Sequence, residues 1–233
     1  MNQSQASLET VFLDAAGTLI ELSESVGHGY ARIAKQHHFH LDAEQTNQVF
    51  GSLWQRTPSP NYPSSSTFAE RDAIDRHWWR HLVDQILTQL DRHPGAAFDP
   101  YFSDLFQHYA TPAAWRPFPG THEALAMLAK HYRIFVFSNF DERLVSILKA
   151  WRLDTHLSGI LFSTALGASK PDPEAFSAAL NAANANPKTT LHVGDDLQAD
   201  GQGAQESGLA FFHVYPPAQD LQALLKFLQK QPD

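Results

Sequence analysis

From Trp115 onward, short apolar runs alternate with helix-patterned segments, and this alternation leaves few folds open. Arg133–Phe137, Gly159–Phe162, Thr189–Val193 and Ala210–Val214 read as buried strands. Helical spacing covers Thr121–His131, with Leu125 and Leu128 facing a core, then Asp141–Trp151 and Gln219–Gln229. A further helix opens at Asp172-Pro173, an N-cap followed by proline at the first helical position. Strands separated by helices demand right-handed crossovers and a parallel sheet. A fifth apolar run, Thr10–Leu13, stands far upstream and ends on Asp14, with a turn at Gly17-Thr18. Asp14 therefore falls at the carboxyl end of a strand, where open α/β sheets place their ligands. The bland alternative is that Asp14 only caps the following turn.

Residues 21–112 show no strand pattern. Ser23–Phe39 carries Val26, Tyr30, Ile33 and Ala34 near a helical period. Asp42 caps a second helix through Phe50, Leu53 and Trp54. A loop rich in proline and serine, Thr57–Ser66, precedes a long helix from Phe68 to Leu90, and another helix covers Pro100–Tyr109. The expected organisation is a Rossmann-like α/β core of residues 1–20 and 113–233, interrupted by an all-helical insertion of residues 21–112. A chain of 233 residues is long enough for both.

Bulk properties narrow the chemistry. The net charge of −8 and the lack of any basic cluster argue against nucleic acid as a partner. No apolar run reaches about 18 residues, so no membrane span is expected, and Met1–Glu9 lacks the pattern of a signal peptide. The absence of cysteine excludes disulfides, thiolate catalysis and cysteine-based zinc sites, and fits a cytoplasmic enzyme. The 13 histidines, including His37, His38 and His40, are expected on the surface.

Four polar segments follow strand ends in order: Asp14-Ala15-Ala16-Gly17-Thr18, Ser138-Asn139, Lys170-Pro171, and Gly194-Asp195-Asp196 with Asp200 beyond. This set resembles the haloacid dehalogenase (HAD) superfamily, most of whose members are phosphatases. The resemblance spans Val11–Ile20 and Pro117–Val214, and the helical insertion is similar to that family's C1-type cap. It implies Asp14 as a nucleophile that forms an aspartyl-phosphate. It implies Mg²⁺ held by the Asp14 and Asp195 carboxylates and the Ala16 carbonyl. Asp196 and Asp200 remain open between an outer-shell role and helix capping. Lys170 supplies positive charge, or is an ordinary solvated lysine. Ser138, with Asn139 and Thr18, contacts the phosphoryl group; Ser138 alternatively only forms a strand-end turn. The implied substrate is a small phosphorylated metabolite. Oligomeric state is not indicated.

One position departs from the family's pattern. Its phosphatases carry a second aspartate two residues after the nucleophile, which protonates the leaving group and later activates water; here that residue is Ala16. Losing such a group removes about 10²–10⁴ in rate. Four readings stay open. The first is a phosphatase that is slow, uses a good leaving group or borrows its acid. The second is a carbon–phosphorus hydrolase, whose Asp-x-Ala-Gly-Thr motif this sequence matches and which needs a Schiff-base lysine. Lys35 is the one lysine between 21 and 112. The third is a non-catalytic phospholigand-binding protein, and the fourth a haloacid dehalogenase. Ser138-Asn139-Phe140-Asp141 and the run from Asn61-Tyr62 to Trp78-Trp79 resemble a HAD subgroup that lacks an assigned substrate. In the insertion, Trp78 is expected in the core. Trp79 faces either the core or a cleft, and Arg76 and Arg80 either clamp an anion or are solvated.

Overall fold

The computed structural model describes residues 7–229. The chain divides into two compact units, one formed by residues up to Glu21 with Pro117 onward, the other by Leu22–Arg116. Among the described residues, no helix is long and apolar enough to cross a membrane.

The first unit is a parallel five-stranded sheet ordered Gly159–Phe162, Arg133–Ser138, Thr10–Leu13, Thr190–Gly194, Ala210–His213. Thr10–Leu13 lies at its centre, with Leu13 opposite Val136 on one side and Val193 on the other. Burial on both faces explains its unbroken apolar sequence. One face stacks Phe12 against Phe135 and Phe137, edge to face at 5.9 and 5.8 Å, over Phe176, Ala179 and Ala204. Helix Pro173–Ala183 starts as the sequence predicts: Asp172 accepts the Glu174 N–H, and Pro173 opens the first turn.

Several element boundaries differ from expectation. Helix Arg143–Ala150 begins two residues later than Asp141. The Asp141 carboxylate accepts the Arg143 N–H and is forked by its guanidinium, at 2.6 Å from Nη2 and 2.8 Å from Nε. Short segments also escaped the pattern: the paired strands Ile20–Leu22 and Trp115–Pro117, the helix Ser163–Leu166, and a π-helical turn at Leu197–Gln202. Three to six residues are too few to display a period.

The second unit is helical, with long helices at Val26–Gln36, Ala43–Arg56, Phe68–Gln89 and Phe98–His108. Asp42 caps the second by accepting the Gln45 N–H at 2.8 Å, and Thr67 with Glu70 forms a capping box on the third. The fourth starts before Pro100, because first-turn N–H groups have no helical partner and proline there costs little. Its core gathers Tyr30, Ile33, Leu82, Ile86, Tyr101 and Leu105. Gly27 lets the first two helices touch: a Cβ there would run into the Ala43 carbonyl.

Candidate active site

Sheet register brings the sequence-predicted segments together. Since Leu13 pairs with Val136 and Val193, the next residues along the three strands emerge side by side at the carboxyl edge. The Asp14 N–H still bonds the Val193 carbonyl at 2.8 Å, so its side chain leaves from a fixed backbone. Asp14, Ser138, Lys170 and Asp200 are all buried.

Lys170 is the hub. Its ammonium donates to Asp14 Oδ1 at 2.7 Å, Asp200 Oδ1 at 2.5 Å and the Phe137 carbonyl at 3.0 Å. At 2% exposure it is no solvated lysine. Burial pushes its pKa down, but the Asp14 and Asp200 charges more than offset that and hold it protonated. Burial likewise pushes Asp200 up, and the Lys170 charge with the His192 hydrogen bond overrides it, holding Asp200 ionised. Asp14 differs. Burial raises its pKa, and Lys170 with the Ser138 hydroxyl offsets this only in part.

Asp195 completes the group. It, Asp14 and Asp200 present carboxylate oxygens within 4.8 Å of one another. Burial, followed by repulsion from Asp14 and Asp200, pushes Asp195 up to about 7. Three carboxylates thus face one ammonium. Lys170 is shared between Asp14 and Asp200, so one ammonium leaves negative charge in excess wherever all three carboxylates are ionised. An all-oxygen donor set with unmatched charge suits a hard divalent cation such as Mg²⁺. Gly17 makes the approach of Asp195 possible: its φ is +90°, and a Cβ there would collide with the Asp195 carboxylate.

The remaining candidates take varied positions. The Asn139 amide is engaged by the Lys170 peptide, donating to its carbonyl at 2.7 Å and accepting its N–H at 2.7 Å. That geometry makes its side chain a clamp on the lysine segment. The Thr18 hydroxyl is buried with no hydrogen-bond partner among the described residues. Ala16 sits half-buried in the turn and bridges to Ile20. Asp196 and Asp200 part company. Asp196 is exposed and caps the π-helical turn, accepting the Gln198 and Ala199 N–H groups at 2.8 Å. Asp200 points inward to Lys170.

Two features of this site were not anticipated. His192, expected on the surface, is fully buried, and its Nε2 lies 2.8 Å from Asp200 Oδ1. The readable signal was a polar residue inside an apolar strand. Gly194 is the second: a Cβ there would overlap the Asp200 carboxyl carbon, so only glycine lets Asp200 sink to this depth.

In the helical unit, Arg76 lies over the Phe106 ring at 4.7 Å, and Arg80 over Phe98 at 4.6 Å with its guanidinium 2.7 Å from Asp99. Trp78 and Trp79 both pack partly buried against the helical core, and Trp78 Nε1 donates to the Pro58 carbonyl. Lys35 is exposed in the last turn of its helix. His37 pairs with Asp104 at 2.8 Å.

Comparison with known proteins agrees with this architecture. The family model for haloacid dehalogenase-like hydrolases matches residues 8–208. The haloacid dehalogenase-like hydrolase domain-containing protein 3 of Bos taurus is 32% identical over 207 residues, covering 88% of this chain and 80% of its own. Magnesium-bound YfnB of Bacillus subtilis superposes with a TM-score of 0.74 at 16% identity, covering 96% of this chain and all of its own. A 2-haloacid dehalogenase of Pseudomonas syringae pv. Tomato superposes at 0.61 with 20% identity, covering 96% and 99%. At those identities the structural neighbours establish the fold alone, while the sequence match reaches through every strand-end segment described above. The chain belongs to the haloacid dehalogenase-like hydrolase family.

Proposed function

We propose that this protein is a Mg²⁺-dependent phosphohydrolase that acts on a small phosphorylated molecule through Asp14. The observation that carries the reading is the charge arrangement: a buried carboxylate held by a buried ammonium, beside the Asp195 carboxylate, which has no ion-pair partner among the described residues. Asp14 attacks phosphorus, the ester oxygen leaves, and water later cleaves the aspartyl-phosphate. Ser138 presents a hydroxyl to a phosphoryl oxygen, and Lys170 offsets the charge that builds on the transferring group. Asp14 and Asp195, with the Ala16 carbonyl, would hold Mg²⁺. When bound, the ion supplies charge neutralisation and Lewis acidity.

The Ala16 methyl cannot protonate a leaving group. Turnover should therefore be measurable on an aryl phosphate, whose leaving oxygen needs no acid, and about 10²-fold or more slower on alkyl phosphates. Ala16→Asp should narrow that gap. Mg²⁺-dependent aryl phosphate hydrolysis supports the reading, and its absence at any Mg²⁺ concentration sinks it. The same methyl favours one second reading, phospholigand binding with little turnover, for which phosphate binding without hydrolysis is the signature.

Cation binding should also be pH-dependent. Mg²⁺ competes with the Asp195 proton, so its apparent affinity should fall by up to about tenfold per unit below pH 7. The linkage sign follows from a folded pKa raised above the ordinary 3.8. Without cation, Asp195 costs stability increasingly as pH rises from about 4 to 7. Thermal melts with MgCl₂ should thus show a clear upward shift at pH 8 and almost none at pH 5.5; equal shifts at both would contradict this.

A further inference from the structure

His192 stands in mid-strand with no solvent exposure, inside a cage of phenylalanines. Ring centroids lie 5.5 Å away at Phe137, 5.5 Å at Phe176 and 6.3 Å at Phe211. A phenylalanine at this position would complete the aromatic cluster at no polar cost. The imidazole instead leaves its Nδ1 buried without a hydrogen-bond partner among the described residues. What it supplies is a single donor, because an ionised Asp200 can only accept, and so Nε2 must carry the proton.

That donor acts on a buried carboxylate that two other groups also hold. Asp200 Oδ1 takes both the His192 Nε2–H and the Lys170 ammonium, while Oδ2 takes the Asp196 N–H at 3.1 Å. The lysine's other carboxylate partner is Asp14. Where Asp200 sits therefore decides where the ammonium sits, and the ammonium orients the reacting oxygen.

We propose that His192 is a positioning residue: its Nε2–H fixes Asp200, Asp200 fixes Lys170, and Lys170 aims Asp14. The proposal rests on the reading of Asp14 as nucleophile. The bonded chain from His192 to Asp14 runs through Asp200 and Lys170, so its effect passes through two other side chains. Partners of this kind typically carry about 10–100-fold in activity.

The test compares His192→Phe, which keeps the ring packing and removes the donor, with His192→Gln, which keeps a donor at a similar reach. Aryl phosphate hydrolysis in saturating Mg²⁺ is followed for each. The expected result is a kcat about 10–100-fold lower for His192→Phe with KM within about threefold, and recovery to within about fivefold of wild type for His192→Gln. A residue that only packs would give the opposite order, because phenylalanine packs better than glutamine. Wild-type kcat in His192→Phe, or equal losses in both variants, overturns the proposal. Should His192→Phe not fold, His192→Met takes its place under the same criteria. Imidazole ¹⁵N spectra of the wild-type protein, which need no turnover, provide an independent arm. If the wild type fails to hydrolyse the ester, the phosphohydrolase reading is lost, and the spectra decide the hydrogen-bond chain. A protonated Nε2, together with a Lys170 Nζ resonance displaced in His192→Phe, supports it; an unprotonated Nε2 or an unmoved lysine resonance overturns it.

Discussion

Asp14→Asn is expected to leave the fold intact and to lower aryl phosphate hydrolysis by at least about 10³-fold. The amide keeps the size of the carboxylate, and its oxygen can still accept from Lys170 Nζ where Oδ1 does now. The strand loses nothing, because the Asp14 backbone is held by its own bond to Val193. What disappears is a nucleophile able to bond phosphorus. Burial raises the Asp14 pKa and Lys170 opposes it, so the ammonium is what favours the ionised, nucleophilic form. Steady-state assays beside thermal melts separate the two effects. A melting temperature near wild type with activity gone is the expected outcome, and retained hydrolysis would remove Asp14 from the chemistry.

Lys170→Met has the larger structural consequence. The ammonium is paired with two buried carboxylates. Methionine fills similar space but strands both charges, and breaking a buried pair in this way costs about 3–5 kcal/mol. The loss should depend on pH in a stated direction. In the wild type, Asp200 is held below its ordinary 3.8, so it adds stability above that pH and loses the contribution in acid. In the variant, Asp14 and Asp200 have no counter-charge, and their pKa values rise. The penalty is then greatest at high pH and is relieved as the carboxylates take up protons. Urea denaturation should show a wide gap between the two proteins at pH 8 and a narrower one at pH 5. A constant gap would mean the lysine acts by packing alone. Activity should be absent wherever the variant is folded.

Much of this arrangement was readable from residue order. A parallel sheet follows from apolar runs separated by helical periods, and all five core strands lie within one residue of where those runs place them at either end. The place of Asp14 at a strand's carboxyl end was legible because the apolar run Thr10–Leu13 stops at it. Asp172-Pro173 and Asp42 were legible because caps act locally. The depth of Asp200 was not. Its neighbours in sequence, Ala199 and Gly201, carry no sign that it turns inward while Asp196 turns out. That choice depends on a π-helical turn and on the missing Cβ of Gly194, both of which are tertiary facts. Asn139 shows the same limit: its clamp on the Lys170 peptide joins residues 31 apart in sequence, which local pattern does not reveal. His192 was misread for another reason. Thirteen histidines invite one common explanation, and the buried one was distinguishable only by the apolar residues flanking it.

Ala16 makes the most direct measurement practical. Without the carboxylate that family phosphatases use to activate water, breakdown of the aspartyl-phosphate should lag behind its formation. The covalent intermediate should then accumulate during a single turnover. Rapid acid quench with a ³²P-labelled aryl phosphate and Mg²⁺, followed by peptide mapping, would detect it. Hydroxylamine-labile label is expected on the peptide bearing Asp14, present in the wild type and absent from Asp14→Asn. Released phosphate with no label on protein at any quench time, or label on another residue, would contradict it.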